Sequence, residues 1–263
     1  MVSLSGWFKD LLFGSGMEYR AIAAIGSGGK TSLIWHLAAS LSAGRSILVT
    51  PSTKMFLPEG KPYNRYYDKK IPVPAPGITL AGIFNKASGK LESFPPFELE
   101  HIIPDYDLSL IEADGSRGLP LKAWNDNEPV IPQCTGLTVG MLPLWPLGKP
   151  LTEKIVHRME LFISLTGASA GKPLAMEHLV SLIAGRTAKA GTTAPHGRTS
   201  PPGLFDKACG RKLLFFNQIE NDESLAMARE LACLLPAETR TGLCAIIAGS
   251  VRENILEVLH QGF

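Results

Sequence analysis

The chain has 263 residues, 45% hydrophobic and 19% charged, with a formal net charge of +2; this balance excludes a disordered polyelectrolyte and supplies enough apolar residues for a substantial core. Lysine and arginine are dispersed, so neither nucleic acid nor a lipid surface is an expected partner, and Cys134, Cys209, Cys233 and Cys244 form no CxxC pair or zinc spacing, as suits a reducing compartment. No run approaches the roughly 20 apolar residues of a membrane span and the opening MVSLSGWFKDLLFG carries no basic leader, so the expected location is the cytoplasm.

Leu4, Trp7, Phe8, Leu11 and Leu12 recur at helical spacing and predict a short helix over about 3–13. A membrane-surface helix would share that pattern, but the polar face here has little positive charge. Residues 20–25 read as a buried strand, 30–43 as a helix stopped by Gly44, and 46–50 as a second strand, forming a βαβ unit. Pro51 to Pro76 reads as a long excursion. Strands are predicted over 77–84, over 105–116 (DYDLSLIEADGS, ending in acids) and over 135–144, with helices near 152–165 and 175–184. Residues 186–211 lack apolar periodicity and predict a mobile surface loop. KLLFFNQIE and LCAIIAGS are two further strands around an amphipathic helix over 222–235. The expected fold is one α/β domain over 1–263, a mainly parallel sheet with helices on both faces and ligands gathered at the carboxyl ends of the strands, and the placing of GSGGKTS between the strand at 20–25 and the helix at 30–43 makes it P-loop NTPase-like.

The chemistry starts at GSGGKTS, which follows a strand and opens a helix, as a phosphate-binding loop must. Backbone N–H groups of Gly26, Ser27, Gly28, Gly29, Lys30, Thr31 and Ser32 can converge on phosphate oxygens at the positive end of the helix. Lys30 would reach the terminal phosphates and Thr31 would ligate Mg2+. The motif G-x-x-x-x-G-K-[ST] asks for glycine where this chain has Ala24, so Gly26 is expected to supply the turn. The plain alternative is a glycine turn with an exposed lysine. Glu112 and Asp114 close an apolar strand at the sheet's carboxyl edge, where magnesium ligands and catalytic carboxylates sit; both are candidates for both roles, against the alternative of two acids solvating a strand end. Thr50, Ser52, Thr53 and Lys54 leave the second strand either toward the γ-phosphate or as a polar strand exit. Asn217 ends a late strand where base recognition occurs in GTPase-like folds. Gln218 and Glu220 depart from N-K-x-D, leaving ATP or GTP open.

Taken together, GSGGKTSL, EADGSRGLPLKA, EPVIPQCTGLTVG, LGKPLTEKIVHRMELF and LLFFNQIE resemble the YqeC family, accessory proteins of selenium-dependent molybdenum hydroxylases. The resemblance runs from about residue 20 to the end of the chain. It implies a P-loop nucleotide-binding protein in selenium or molybdenum cofactor maturation, with a molybdenum hydroxylase or its maturation proteins as partners. Gly26, Gly28, Gly29, Lys30 and Thr31 match the family's phosphate loop, and Glu112, Asp114, Gly115, Ser116 and Arg117 its acidic signature. Lys54 stands where the family shows a histidine. Arg117, Lys122, His157 and Arg158 lie in further family motifs as candidates for an anionic-substrate pocket, each alternatively a surface charge or helix cap. The remaining histidines form no ligand spacing, so no metal beyond magnesium is expected. Two functions from different classes stay open: an enzyme that hydrolyses or transfers the γ-phosphate, and a nucleotide-gated delivery protein without useful turnover.

Overall fold

Apolar runs without polar alternation, such as AIAAI and LLFF, form strands only where both faces of the sheet are covered. The computed structural model, which describes residues 1–14, 19–185 and 201–262, provides such a sheet. In chain order the elements are β1 (Val2–Ser3), α1 (Leu4–Phe13), β2 (Ala21–Gly26), α2 (Lys30–Leu41), β3 (Ser46–Pro51), β4 (Lys54–Phe56), β5 (Arg65–Asp68), β6 (Gly77–Asn85), β7 (Lys90–Glu92) and α3 (Pro96–Ile102). After a 3-10 turn over Ile103–Asp105 come β8 (Leu108–Glu112), β9 (Leu121–Lys122), β10 (Leu137–Pro143), β11 (Val156–His157), α4 (Met159–Thr166) and α5 (Met176–Ala184). The chain ends with β12 (Arg211–Asn217), α6 (Asp222–Leu234), α7 (Ala237–Thr241), β13 (Ala245–Ser250) and β14 (Ile255–Gln261).

The central order is β13-β12-β10-β2-β8-β3-β6, parallel at every pairing. Antiparallel strands extend both ends, β14 and β1 beyond β13, and β7 and β4 beyond β6. Alternation along β2 divides the core between the two faces. Ala21, Ala23 and Ile25 pack with Phe162 and Leu165 of α4, Leu182 of α5 and Leu231 of α6. Ile22 and Ala24 pack with Phe8 and Leu12 of α1 and Leu33 and Leu37 of α2. The expected α/β sheet with helices on both faces is therefore present. Among the described residues no helix is long and apolar enough to cross a membrane.

The connectivity places the site. The chain runs from β2 through α2 to β3, yet β8 lies between β2 and β3, with Ala24 paired to Glu112 and Pro51 paired to Glu112 from the other side. The acidic exit of β8 is thereby held against the glycine loop.

Several boundaries differ from the sequence expectations. The acidic strand covers only Leu108–Glu112, because Ile103–Asp105 forms a helical turn. The excursion after Pro51 contains β4 and β5. The helix expected from 152 starts at Met159, since Val156 and His157 pair with β9 and Arg158 takes a left-handed φ of 61°. Of the loop expected over 186–211, residues 186–200 lie outside the described residues. The part from 201 is anchored, not loose: Leu204 and Phe205 are buried in the core, and Leu204 N–H donates to the Leu182 carbonyl.

Candidate functional site

β2 stays in register with β10 as far as Gly26, which pairs with Met141. Ala24 is thus an ordinary ladder residue, and the turn that the usual motif starts there begins at Gly26, with φ +91°. A Cβ on Gly26 would lie 2.3 Å from the Met141 carbonyl oxygen, so only glycine fits. Gly28 and Gly29 also hold positive φ, and α2 starts at Lys30 with no side chain capping its N-terminus. Its first-turn N–H groups and positive dipole end face the cleft described below.

Four predicted residues, Lys30, Thr31, Glu112 and Asp114, meet at this turn. Lys30 Nζ donates to the Gly26 carbonyl at 2.6 Å and pairs with Asp114 Oδ1 at 3.1 Å. The Thr31 hydroxyl donates to Glu112 Oε2 at 2.8 Å. Burial pushes the Glu112 carboxyl above its ordinary range, against the pull of Lys30 and the Thr31 hydroxyl, and the nearby Asp114 adds to the rise.

The two acids separate in role. Asp114 has no exposed surface. Its Oδ2 accepts from Gly26 N–H at 3.0 Å and Trp124 Nε1–H at 2.6 Å and pairs with Lys122 Nζ at 3.1 Å. Burial alone would raise its pKa, but Lys30, Lys122 and these two donors outweigh burial and hold it below the usual range. Asp114 is therefore the floor of the loop, whereas Glu112, bonded to Thr31, lines the cleft above it.

Asn217, expected at the base, is tied to the loop in this structure. It is 3% exposed; its Nδ2 donates to the Gly28 carbonyl at 2.7 Å and its Oδ1 accepts from Val251 N–H at 3.0 Å. An amide held at both ends by backbone braces the loop, and the same residue lines the second cleft described below.

Lys122, His157 and Arg158, expected in an anion pocket, join a buried charge network instead. Lys122 donates to the Gly115 carbonyl at 2.7 Å and to Glu128 at 3.0 Å, and Arg158 reaches the same Glu128 oxygen at 2.8 Å. His157 is held down to about 4 by burial, then by Arg158, Arg117 and Lys122. In the TPSTKM stretch, Thr50 is buried, Ser52 Oγ donates to the Val130 carbonyl, and Ser52 N–H donates to the Glu112 carbonyl at 3.0 Å. These residues fix strand exits. Thr53 accepts Ser93 N–H at its carbonyl.

The cleft above the loop has a volume of about 350 Å³ and is lined by Gly28 to Ser32, Glu112, Gly115 to Pro120, Trp145 and, on its far wall, Lys54, Phe56 and Lys90. Lys30, Lys54, Lys90 and Arg117 face one carboxylate there, Glu112, which favours an anionic occupant. A second cleft of about 710 Å³ shares Gly29, Ser32, Trp145 and Gln218 with the first and continues to Glu220 and Arg252. Trp145 stands at the junction, 42% exposed, with Nε1–H donating to Gln218 Oε1 at 3.0 Å and Lys149 Nζ 4.1 Å from its ring centre. Sequence reasoning missed Trp145, Phe56, Lys90 and Arg252. A large exposed aromatic just past a predicted strand exit was the available signal for Trp145.

The family model described as YqeC protein matches residues 22–160, from the start of β2 past the Lys122–Glu128–Arg158 network. The chain is 35% identical over 244 residues to the Uncharacterized protein YqeC of Escherichia coli (strain K12), covering 89% of this chain and 88% of that protein. No solved structure matches the chain. With the glycine loop, the acidic strand and the buried network all inside the matched region, and a relative aligned over nearly its whole length, this chain belongs to the YqeC family.

Proposed function

We propose that the chain binds magnesium and a nucleoside triphosphate, ATP or GTP, with the phosphates on the loop from Gly26 to Ser32. In this reading it acts in the maturation of a selenium-dependent molybdenum hydroxylase, the role that the sequence resemblance implies, with the hydroxylase or its maturation proteins as partners. The observation that carries the nucleotide reading is the 2.8 Å hydrogen bond from Thr31 to Glu112 at an uncapped, glycine-built helix N-terminus.

The donor set fits magnesium. A hydroxyl and a carboxylate oxygen stand side by side, and among the described residues no group of three His, Cys, Asp or Glu could form an all-protein cage. Magnesium takes one or two such oxygens and completes its shell with phosphate and water. When bound it would neutralise charge on the phosphate oxygens. The protein's own contributions are the loop N–H groups, which orient the phosphates, and Lys30, which moves from the Gly26 carbonyl and Asp114 to the terminal phosphate.

That movement favours a second reading, nucleotide-gated delivery without useful turnover. Withdrawing Lys30 unbalances Asp114, and Asp114 is linked through Lys122 and Glu128 to Arg158. Calorimetry with a non-hydrolysable Mg-nucleotide on wild type and Lys30→Ala tests binding; equal affinity in the two proteins refutes it. Phosphate release with and without the hydroxylase separates turnover from gating.

A further inference from the structure

We infer that the cleft takes a second ligand beside the phosphates: an anionic small molecule with a flat ring, seated on the β4–β7 strand pair. The inference rests on the nucleotide reading for which end of the cleft the phosphates occupy.

β4 and β7 are antiparallel, with Lys54 opposite Glu92, Met55 opposite Leu91 and Phe56 opposite Lys90. Directly opposed residues share a face, and faces alternate along a strand. Met55 and Leu91 are buried on one face, so Lys54, Phe56, Lys90 and Glu92 stand together on the other. Lys54, Phe56 and Lys90 line the cleft that reaches Thr31 and Glu112, and the Lys90 charge is felt at the Glu112 carboxyl.

Two features point to the ligand's chemistry. Phe56 is 64% exposed, a large apolar ring at a cleft wall that a flat ligand would cover. Lys90 Nζ lies 4.3 Å from that ring's centre, and among the described residues no acid pairs with it; Arg117, which lines the same cleft, has no hydrogen-bond or ion-pair partner among them either. Lys54 is already paired with Glu92 at 2.7 Å. Two cations without an ion-pair partner beside a largely exposed aromatic ring select an anion joined to a ring.

The sheet order shows why the nucleotide leaves this region open. The second cleft, with Trp145 and Arg252, lies at the exits of β10, β12 and β13 on one side of β2, whereas β4 follows β3 on the other. A nucleotide extending from the loop toward Trp145 leaves the β4–β7 wall to another molecule.

Naphthyl phosphate is a suitable fluorescent probe, titrated into the full chain with and without saturating Mg-AMPPNP. The expected result is binding under both conditions, weakened about tenfold by Phe56→Ala and by Lys90→Ala, with thermal melting unchanged and Mg-AMPPNP affinity kept in Phe56→Ala. No probe binding, displacement of the probe by Mg-AMPPNP, or equal probe affinity in wild type and Phe56→Ala overturns the second site while leaving the nucleotide reading intact. Variant-sensitive probe binding in a protein that fails to bind Mg-AMPPNP keeps the site and removes the nucleotide reading.

Discussion

Asp114 and Lys122 form an ion pair at 3.1 Å with no exposed surface on either side chain, directly beneath the glycine loop. Removing one member of such a pair strands the other charge in the interior, at a cost of about 3–5 kcal/mol. Asp114→Ala and Lys122→Ala are both expected to lose stability on that scale in urea unfolding. A loss under about 1 kcal/mol for either would show that the pair contributes no more than a surface salt bridge.

Glu112 should behave in the opposite way. Burial raises its folded pKa above the unfolded value, so the folded state binds its proton more tightly than the unfolded chain does. Its contribution to stability is therefore largest at low pH and falls as pH rises through the folded pKa. Glu112→Gln is expected to leave the magnesium-free protein as stable as wild type or more so at neutral pH, and to weaken magnesium-dependent nucleotide binding by about 10–100-fold. Thermal shifts with and without Mg-nucleotide read both effects in one experiment.

Asn217 joins the Gly28 carbonyl to Val251 N–H, and each partner loses its hydrogen bond in Asn217→Ala. The expected loss is about 1–3 kcal/mol of stability, with weaker binding of ATP and GTP by the same factor. Asn217→Asp should be worse than Asn217→Ala, since it turns a carboxylate oxygen toward the Gly28 carbonyl. A change in ATP:GTP preference in either variant would show that Asn217 also reads the base.

His157 provides a pH test. Its pKa falls from 6.5 to about 4, chiefly through burial and then through Arg158, Arg117 and Lys122. Between those values the unfolded chain holds more protons, so this group stabilises the fold above the unfolded value and loses that contribution as pH falls toward 4. His157→Gln should flatten the decline of Tm with acidification over that window. An unchanged slope would mean that His157 titrates normally in the folded protein.

The sequence carried the glycine loop and its setting because the signals are local: an apolar run, Gly26 to Lys30, and a helical pattern beyond. It also carried Glu112, since an acid that ends a buried apolar strand falls at the carboxyl edge of the sheet, where ligands gather. The separation of Glu112 from Asp114 was not legible. It depends on Lys122, the last residue of β9, and on Trp124 just beyond it, both placed by the β9–β11 pairing and by Glu128. Lys122 reads as a surface charge in any single-chain pattern, yet it is buried because three acceptors surround it. β4 and β7, three residues each, are too short for periodicity to register, and with them the wall formed by Phe56 and Lys90 was invisible. The helix expected from 152 was shortened by one left-handed residue, Arg158, that no propensity announces.

The brace from Asn217 to Gly28 spans 189 residues of chain, and the other end of the same amide holds Val251. A nascent chain therefore displays the glycine motif long before the strands that support it have been made. Contacts this distant in sequence form late, after the entropy of closing the intervening loop has been overcome. A fragment limited to residues 22–160, the span that the family model matches, contains every residue of the loop and lacks β12 and β13. It is expected to bind no Mg-nucleotide in calorimetry, because the site near the start of the chain is assembled from its end.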